Sequence, residues 1–109
     1  MARTLTVTKR QRDAALKFAN QVRAAMGKRP VKRLQKGRPS KAHSCAIART
    51  IDRNGYVAVS GDGLGAECFI SHRRSPGAEA LVVKTKSKLV GQFIERFDKG
   101  YAPDLEVRS

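Results

Sequence analysis

The chain has 109 residues, 40% of them hydrophobic, with no Trp, two Cys, and 23 Lys or Arg against nine Asp or Glu, for a formal net charge of +14. That length fits one domain with one small core; the composition is lean but lies outside the disordered class, and no apolar run approaches the roughly 18 residues of a membrane span. The charge is lopsided: 14 of the basic residues and a single acid, Asp13, fall in the first 50 positions, an excess that folding does not require and that points to a polyanionic partner.

In chain order, residues 1 to 10 contain no apolar segment of signal-peptide length, so the protein is expected to stay in the cytoplasm. The Arg-rich, acid-poor start also resembles an organelle transit peptide, and the well-patterned helix that follows counts against discarding it. That helix is predicted over about 9 to 26. Thr8 and Gln11 have capping-box spacing, and Ala15, Phe18, Ala19, Val22, Ala25 and Met26 recur at steps of three and four. Lys9, Arg10, Asp13, Lys17 and Asn20 occupy the opposite arc, Arg12 and Arg23 lie at its border, and Gly27 is the stop. Basic residues in a first turn oppose the helix dipole, so their presence suggests a use other than helix stability.

Residues 28 to 41 mix Lys28, Arg29, Lys32, Arg33, Lys36, Arg38 and Lys41 with Pro30, Pro39 and Gly37. Proline and glycine disfavour helix and central strand alike, so this is an extended basic connector. Ser44 is placed to cap a short helix from Cys45 to Ile51, ended by Asn54-Gly55. The period then changes to that of strands: Tyr56–Ser60, Ala66–His72 and Ala80–Lys84, separated by Gly61-Asp62-Gly63 and by Arg73-Arg74-Ser75-Pro76-Gly77, read as an antiparallel meander. A last helix starts near Ser87, places Leu89, Val90, Phe93 and Phe97 on one side and stops at Gly100, with Pro103 beyond it. The fold class is therefore α+β: an amino-terminal amphipathic helix, a basic connector, a short helix, a three-stranded antiparallel sheet and a carboxy-terminal helix. Residues 1–109 form a single domain, in which 1–41 are a looser basic arm and 42–109 the compact part.

Within the connector, Lys36-Gly37-Arg38-Pro39 with Lys41 beyond it looks like an AT-hook core. A narrow A·T-rich minor groove attracts inserted Arg, Gly permits close approach, and Pro keeps the peptide extended. Lys36 stands where an AT-hook has Arg, and sequence-tolerant phosphate binding is the competing reading. His43, Cys45, Cys68 and His72 have metal-ligand character but not the spacing of a finger or ribbon; two buried, reduced thiols and two surface imidazoles account for them as well. No metal or other cofactor is expected. Gly61-Asp62-Gly63-Leu64-Gly65 joins strands rather than a strand to a helix, so it reads as a turn and not a phosphate loop. The acids show no paired motif and Cys45 beside His43 is a weak hint of an activated thiol, so the chain is not read as an enzyme.

Two segments carry a resemblance. Cys45-Ala46-Ile47-Ala48-Arg49-Thr50-Ile51 after its basic, Gly-containing connector, and Phe93 to Leu105 with its Arg96-Phe97-Asp98, Gly100, Pro103 and Leu105, together resemble a family of small actinobacterial phage proteins. Those proteins have a Cys-Pro-Ile-Ala segment after a basic stretch and close with an Arg-Phe-Asp, Gly, Pro and Leu pattern; Ala46 stands here in place of the Pro. The resemblance implies a phage-encoded protein of the bacterial cytoplasm and implies no activity.

The leading expectation is a small basic protein that neutralises nucleic-acid phosphates, DNA ahead of RNA, through Lys9, Arg10, Arg12, Lys17, Lys28, Arg29, Lys32, Arg33, Lys36, Gly37, Arg38 and Lys41. Arg73 and Arg74 at a turn tip would join them if the sheet entered a groove. The alternative is a non-enzymatic phage accessory or virion protein whose arm docks on an acidic host or viral protein surface, with Phe18, Tyr56, Phe69 and Tyr101 as anchors if exposed. No membrane partner is expected, and the oligomeric state stays open.

Overall fold

The computed structural model describes residues 6–39, 41, 45–52, 57–62, 65–72 and 75–106, with backbone alone at 62, 71, 72, 75–81 and 103. Ser44, Asn54-Gly55, Tyr56, Gly63-Leu64 and Arg73-Arg74 lie outside the described residues. The elements follow the order α1 (Lys9–Ala25), α2 (Ala46–Ile51), β1 (Val57–Asp62), β2 (Gly65–His72), β3 (Ser75–Thr85) and α3 (Lys88–Asp98), closed by a 3-10 turn at Pro103–Leu105. This is the α+β arrangement expected, with helices toward both ends of a three-stranded antiparallel sheet ordered β1-β2-β3.

Local chemistry fixes both long helices. At the start of α1 the Thr8 hydroxyl accepts from the Gln11 amide at 3.1 Å, and Gln11 Oε1 accepts from the Thr8 amide at 3.0 Å, which closes the capping box. At its end Gly27 takes φ +75°, its amide donates to Ala24 O and that of Lys28 to Arg23 O, a Schellman motif. α3 repeats the device: Ser87 caps Val90, Gly100 takes φ +84°, Gly100 N donates to Phe97 O and Tyr101 N to Arg96 O. The cap of α2 differs from expectation. Cys45 holds the extended backbone and its Sγ accepts from Ala48 N at 3.4 Å, so the helix begins at Ala46, one residue later than its apolar pattern suggests.

The sheet also departs from the sequence reading at β3. Pro76 and Gly77, expected in a turn, lie inside the strand, which starts at Ser75 opposite His72. β3 is an edge strand, where proline's missing donor is tolerated, and the register shifts between Ile70 and His72 absorb the irregularity.

One core unites all elements. α1 packs on α2 and α3, and those two pack on the sheet. Ala15, Phe18, Ala19 and Val22 of α1 share a buried cluster with Ile47 and Ile51, Val57 and Val59, Cys68, and Val90, Phe93, Ile94 and Phe97. The Phe93 and Phe97 rings stack with centroids 5.9 Å apart. Full burial of such side chains contributes roughly 1.5–3 kcal/mol each. The first helix is thus no loose arm: its stripe completes the core, and Val7 before it donates its amide to Tyr101 O.

Candidate nucleic-acid interface

Because α1 buries its apolar stripe, its opposite arc faces solvent. Lys9, Arg10, Asp13 and Lys17 are all exposed. Arg12, on the flank, is half-buried and makes a two-point ion pair with Asp104, Nη1 to Oδ2 at 2.6 Å and Nη2 to Oδ1 at 2.8 Å. That hydrogen bond raises the affinity of Arg12 for its proton and holds the Asp104 carboxyl below its usual range.

The same flank anchors the connector, which doubles back along α1. Asn20 holds Val31 at two points, Nδ2 donating to Val31 O at 2.9 Å and Oδ1 accepting from Val31 N at 2.8 Å. Further along, Gln35 N donates to the Thr50 hydroxyl at 2.8 Å, and that hydroxyl donates to Ala46 O at 2.6 Å. At the far end Gly37 N donates to Leu105 O at 2.8 Å, and Gly37 pairs with Glu106 in a parallel bridge. Leu34 packs against the core between these points. The connector is extended and irregular, as its prolines require, yet fixed through its backbone at Lys28, Arg29, Val31, Gln35 and Gly37.

Fixing it sorts the candidate contacts. Arg29, Lys32, Arg33, Lys36, Arg38 and Lys41 are exposed. Their side chains, and those of Lys9, Arg10 and Lys17, make no hydrogen bond or ion pair to another described residue, although Lys36 helps through space to keep Asp104 ionised. Three candidates are otherwise employed. Arg12 is paired as above. Lys28 Nζ reaches Ile51 O at 3.3 Å and Asp52 Oδ2 at 3.7 Å. Gly37 is buried against the closing segment, with its amide consumed. The close backbone approach that an AT-hook asks of its glycine is therefore spent on the protein's own chain.

Beside these, Arg23 links three segments: Nε donates to Arg29 O at 2.8 Å and Nη1 to Thr50 O and Ile51 O at 3.0 and 3.2 Å. It caps the orphan carbonyls of α2, a use of cations at helix ends that needs no external anion. Sequence patterning puts Arg23 at the border of the polar arc but cannot assign this contact, since its partners are backbone carbonyls without a residue-type signature.

The remaining constellations are quieter. Burial pushes the Cys45 thiol up to about 11 and the Cys68 thiol up to about 12, so both sulfurs are held as thiols at neutral pH and not as activated thiolates. His43 lies outside the described residues, as does the side chain of His72; among the described residues no group of three or more His, Cys, Asp or Glu converges. Gly61 to Gly65 joins β1 to β2, Asp62 facing Gly65 across the pair. Of the proposed aromatic anchors, Phe18 is only 2% exposed and belongs to the core, while Phe69 and Tyr101 are half-buried. Among the described residues no helix is long and apolar enough to cross a membrane. The chain matches no protein-family model, no curated protein and no solved structure.

Proposed function

We propose that this is a small nucleic-acid-binding protein of phage type, DNA ahead of RNA, which acts in the cytoplasm of a bacterial host and binds chiefly through phosphates. The observation that carries this reading is the Asn20–Val31 clamp, with its companions at Thr50 and Leu105: it ties the segment that bears the exposed connector cations to α1 and to the folded body. Cations left without acidic partners and held on an ordered scaffold bind a polyanion with less ordering cost than a free tail.

Such binding is governed by counterion release. With about six phosphates engaged, affinity falls roughly 10³-fold between 50 and 200 mM salt, since log K drops by about 0.9 per phosphate per log unit of salt. Fluorescence anisotropy of a labelled oligonucleotide across that range is the test. Absence of binding at 50 mM, or affinity indifferent to salt, removes the reading; recovery of an acidic protein partner that survives nuclease treatment would put protein docking in its place.

A further inference from the structure

A concave cleft of about 570 Å³ opens between α1 and the junction of β3 with α3. On the α1 side its rim carries Arg10 and Lys17, seven residues apart and so on one face of the helix. Opposite them are the hydroxyls of Thr85 and Ser87. Each accepts a backbone amide, Thr85 from Ser87 N at 3.2 Å and Ser87 from Val90 N at 3.4 Å, and each keeps its own proton to donate. The floor is apolar, with half-buried Ala14 and Leu89 as its accessible part. The junction also carries Lys86 and Lys88, both exposed.

We propose that this cleft receives one unstacked nucleotide of a single-stranded nucleic acid, its phosphate at Arg10 or Lys17 and its base against Ala14 and Leu89. This rests on the nucleic-acid reading above, because Arg10 and Lys17 belong to the same exposed arc. An apolar floor beneath a cationic rim suits a ligand that is anionic at one end and flat and apolar-faced at the other, and the volume lies within the range of small-ligand sites. A duplex presents only its phosphates to such a cleft, since delivering a base requires unpairing and unstacking it. A single strand delivers one at little cost and gains by removing the base's apolar faces from water against Ala14 and Leu89. Asp13 lines the cleft between the two cations and opposes a phosphate lying directly over it. The anion is thereby driven toward Arg10 or Lys17, and neutralising Asp13 strengthens binding.

The absence of Trp supplies the test. Gln21→Trp, at an exposed position lining the cleft, and Leu89→Trp, on its floor, each install a single fluorophore. Both are titrated at low salt with a short oligothymidylate and with a duplex of equal phosphate content, while anisotropy of labelled strands reports overall binding. Expected is a saturating loss of emission with the single strand that follows the anisotropy isotherm, unchanged emission with duplex, and an affinity about twofold tighter in Asp13→Asn. Binding by anisotropy without a change at either Trp, or equal quenching by duplex, overturns the cleft proposal and leaves phosphate binding standing. No anisotropy change at low salt overturns both. Should Leu89→Trp fail to fold, Gln21→Trp alone decides.

Discussion

Arg12 and Asp104, 92 positions apart, meet in a two-point ion pair that ties the first helix to the closing 3-10 turn. Their side chains are 31% and 61% exposed, so solvent screens the pair and its stabilisation lies at about 1 kcal/mol or below. Asp104 has its carboxyl held below the ordinary 3.8. A depressed acid contributes stability that is whole above its unfolded value and is lost as pH falls through the lowered one, here below about pH 4. Asp104→Asn should remove that acid-side dependence in pH-resolved denaturant melts. It should also release Arg12 to a phosphate, steepening the salt slope of binding by about 0.9.

Asn20 is the second hinge of the proposed interface. Its side chain satisfies both backbone groups of Val31, so Asn20→Ala leaves a donor and an acceptor of the connector to water while the helix itself gains in propensity. A net loss of about 1 kcal/mol is expected, concentrated locally. Amide exchange at Val31 should accelerate while exchange in the core of α3 stays unchanged, and nucleic-acid affinity should fall although no charge is altered.

How far the sequence discloses this arrangement depends on the kind of signal. Thr8, Gln11, Gly27, Ser87 and Gly100 act through local geometry, and each plays the part its position predicts. The apolar stripe of α1 is equally plain, but periodicity states that a face is buried and not against what; a helix expected in a loose arm instead completes the core. Side chain to backbone bonds leave still less trace. Asn20 and Arg23 look like ordinary polar-arc residues until the chain folds back on them, and Gln11, chosen as a cap, also donates to Gln92 and accepts from Arg96 of α3. The same limit governs the interface: composition locates the charge, but only tertiary contacts separate exposed Lys9, Arg10 and Lys17 from employed Arg12 and Lys28.

Two glycines separate backbone conformation from space. Gly27 has φ +75° and a Cβ added there would meet nothing within 4 Å, so Gly27→Ala faces only the left-handed penalty, about 1 kcal/mol. At Gly65 φ is +153° and an added Cβ would run into Thr85 O, a backbone atom that cannot swing aside. Gly65→Ala should therefore cost about 3 kcal/mol or more. Thermal melts of the two variants should differ clearly, with a fall of roughly 5 °C for Gly27→Ala and several times that for Gly65→Ala.

The thiols give an opposite pH signature from Asp104. Burial is the leading cause of the upward displacement at both, from an ordinary 9.0 to about 11 at Cys45 and about 12 at Cys68, because a thiolate in the apolar core would be poorly solvated. An acid raised on folding is protonated in the native state while the unfolded chain already ionises, so its contribution is whole below pH 9 and declines as pH climbs toward 11 and 12. Stability should accordingly fall on the alkaline side, and a double Cys45→Ser, Cys68→Ala variant should lose that slope along with part of the α2 cap and core packing. A thiol reagent at about pH 8 should label neither residue in the native protein and both in denaturant; rapid native labelling of Cys45 would mean that the amino terminus of α2 opens readily, and with it the Thr50 hydroxyl on which the connector is hung.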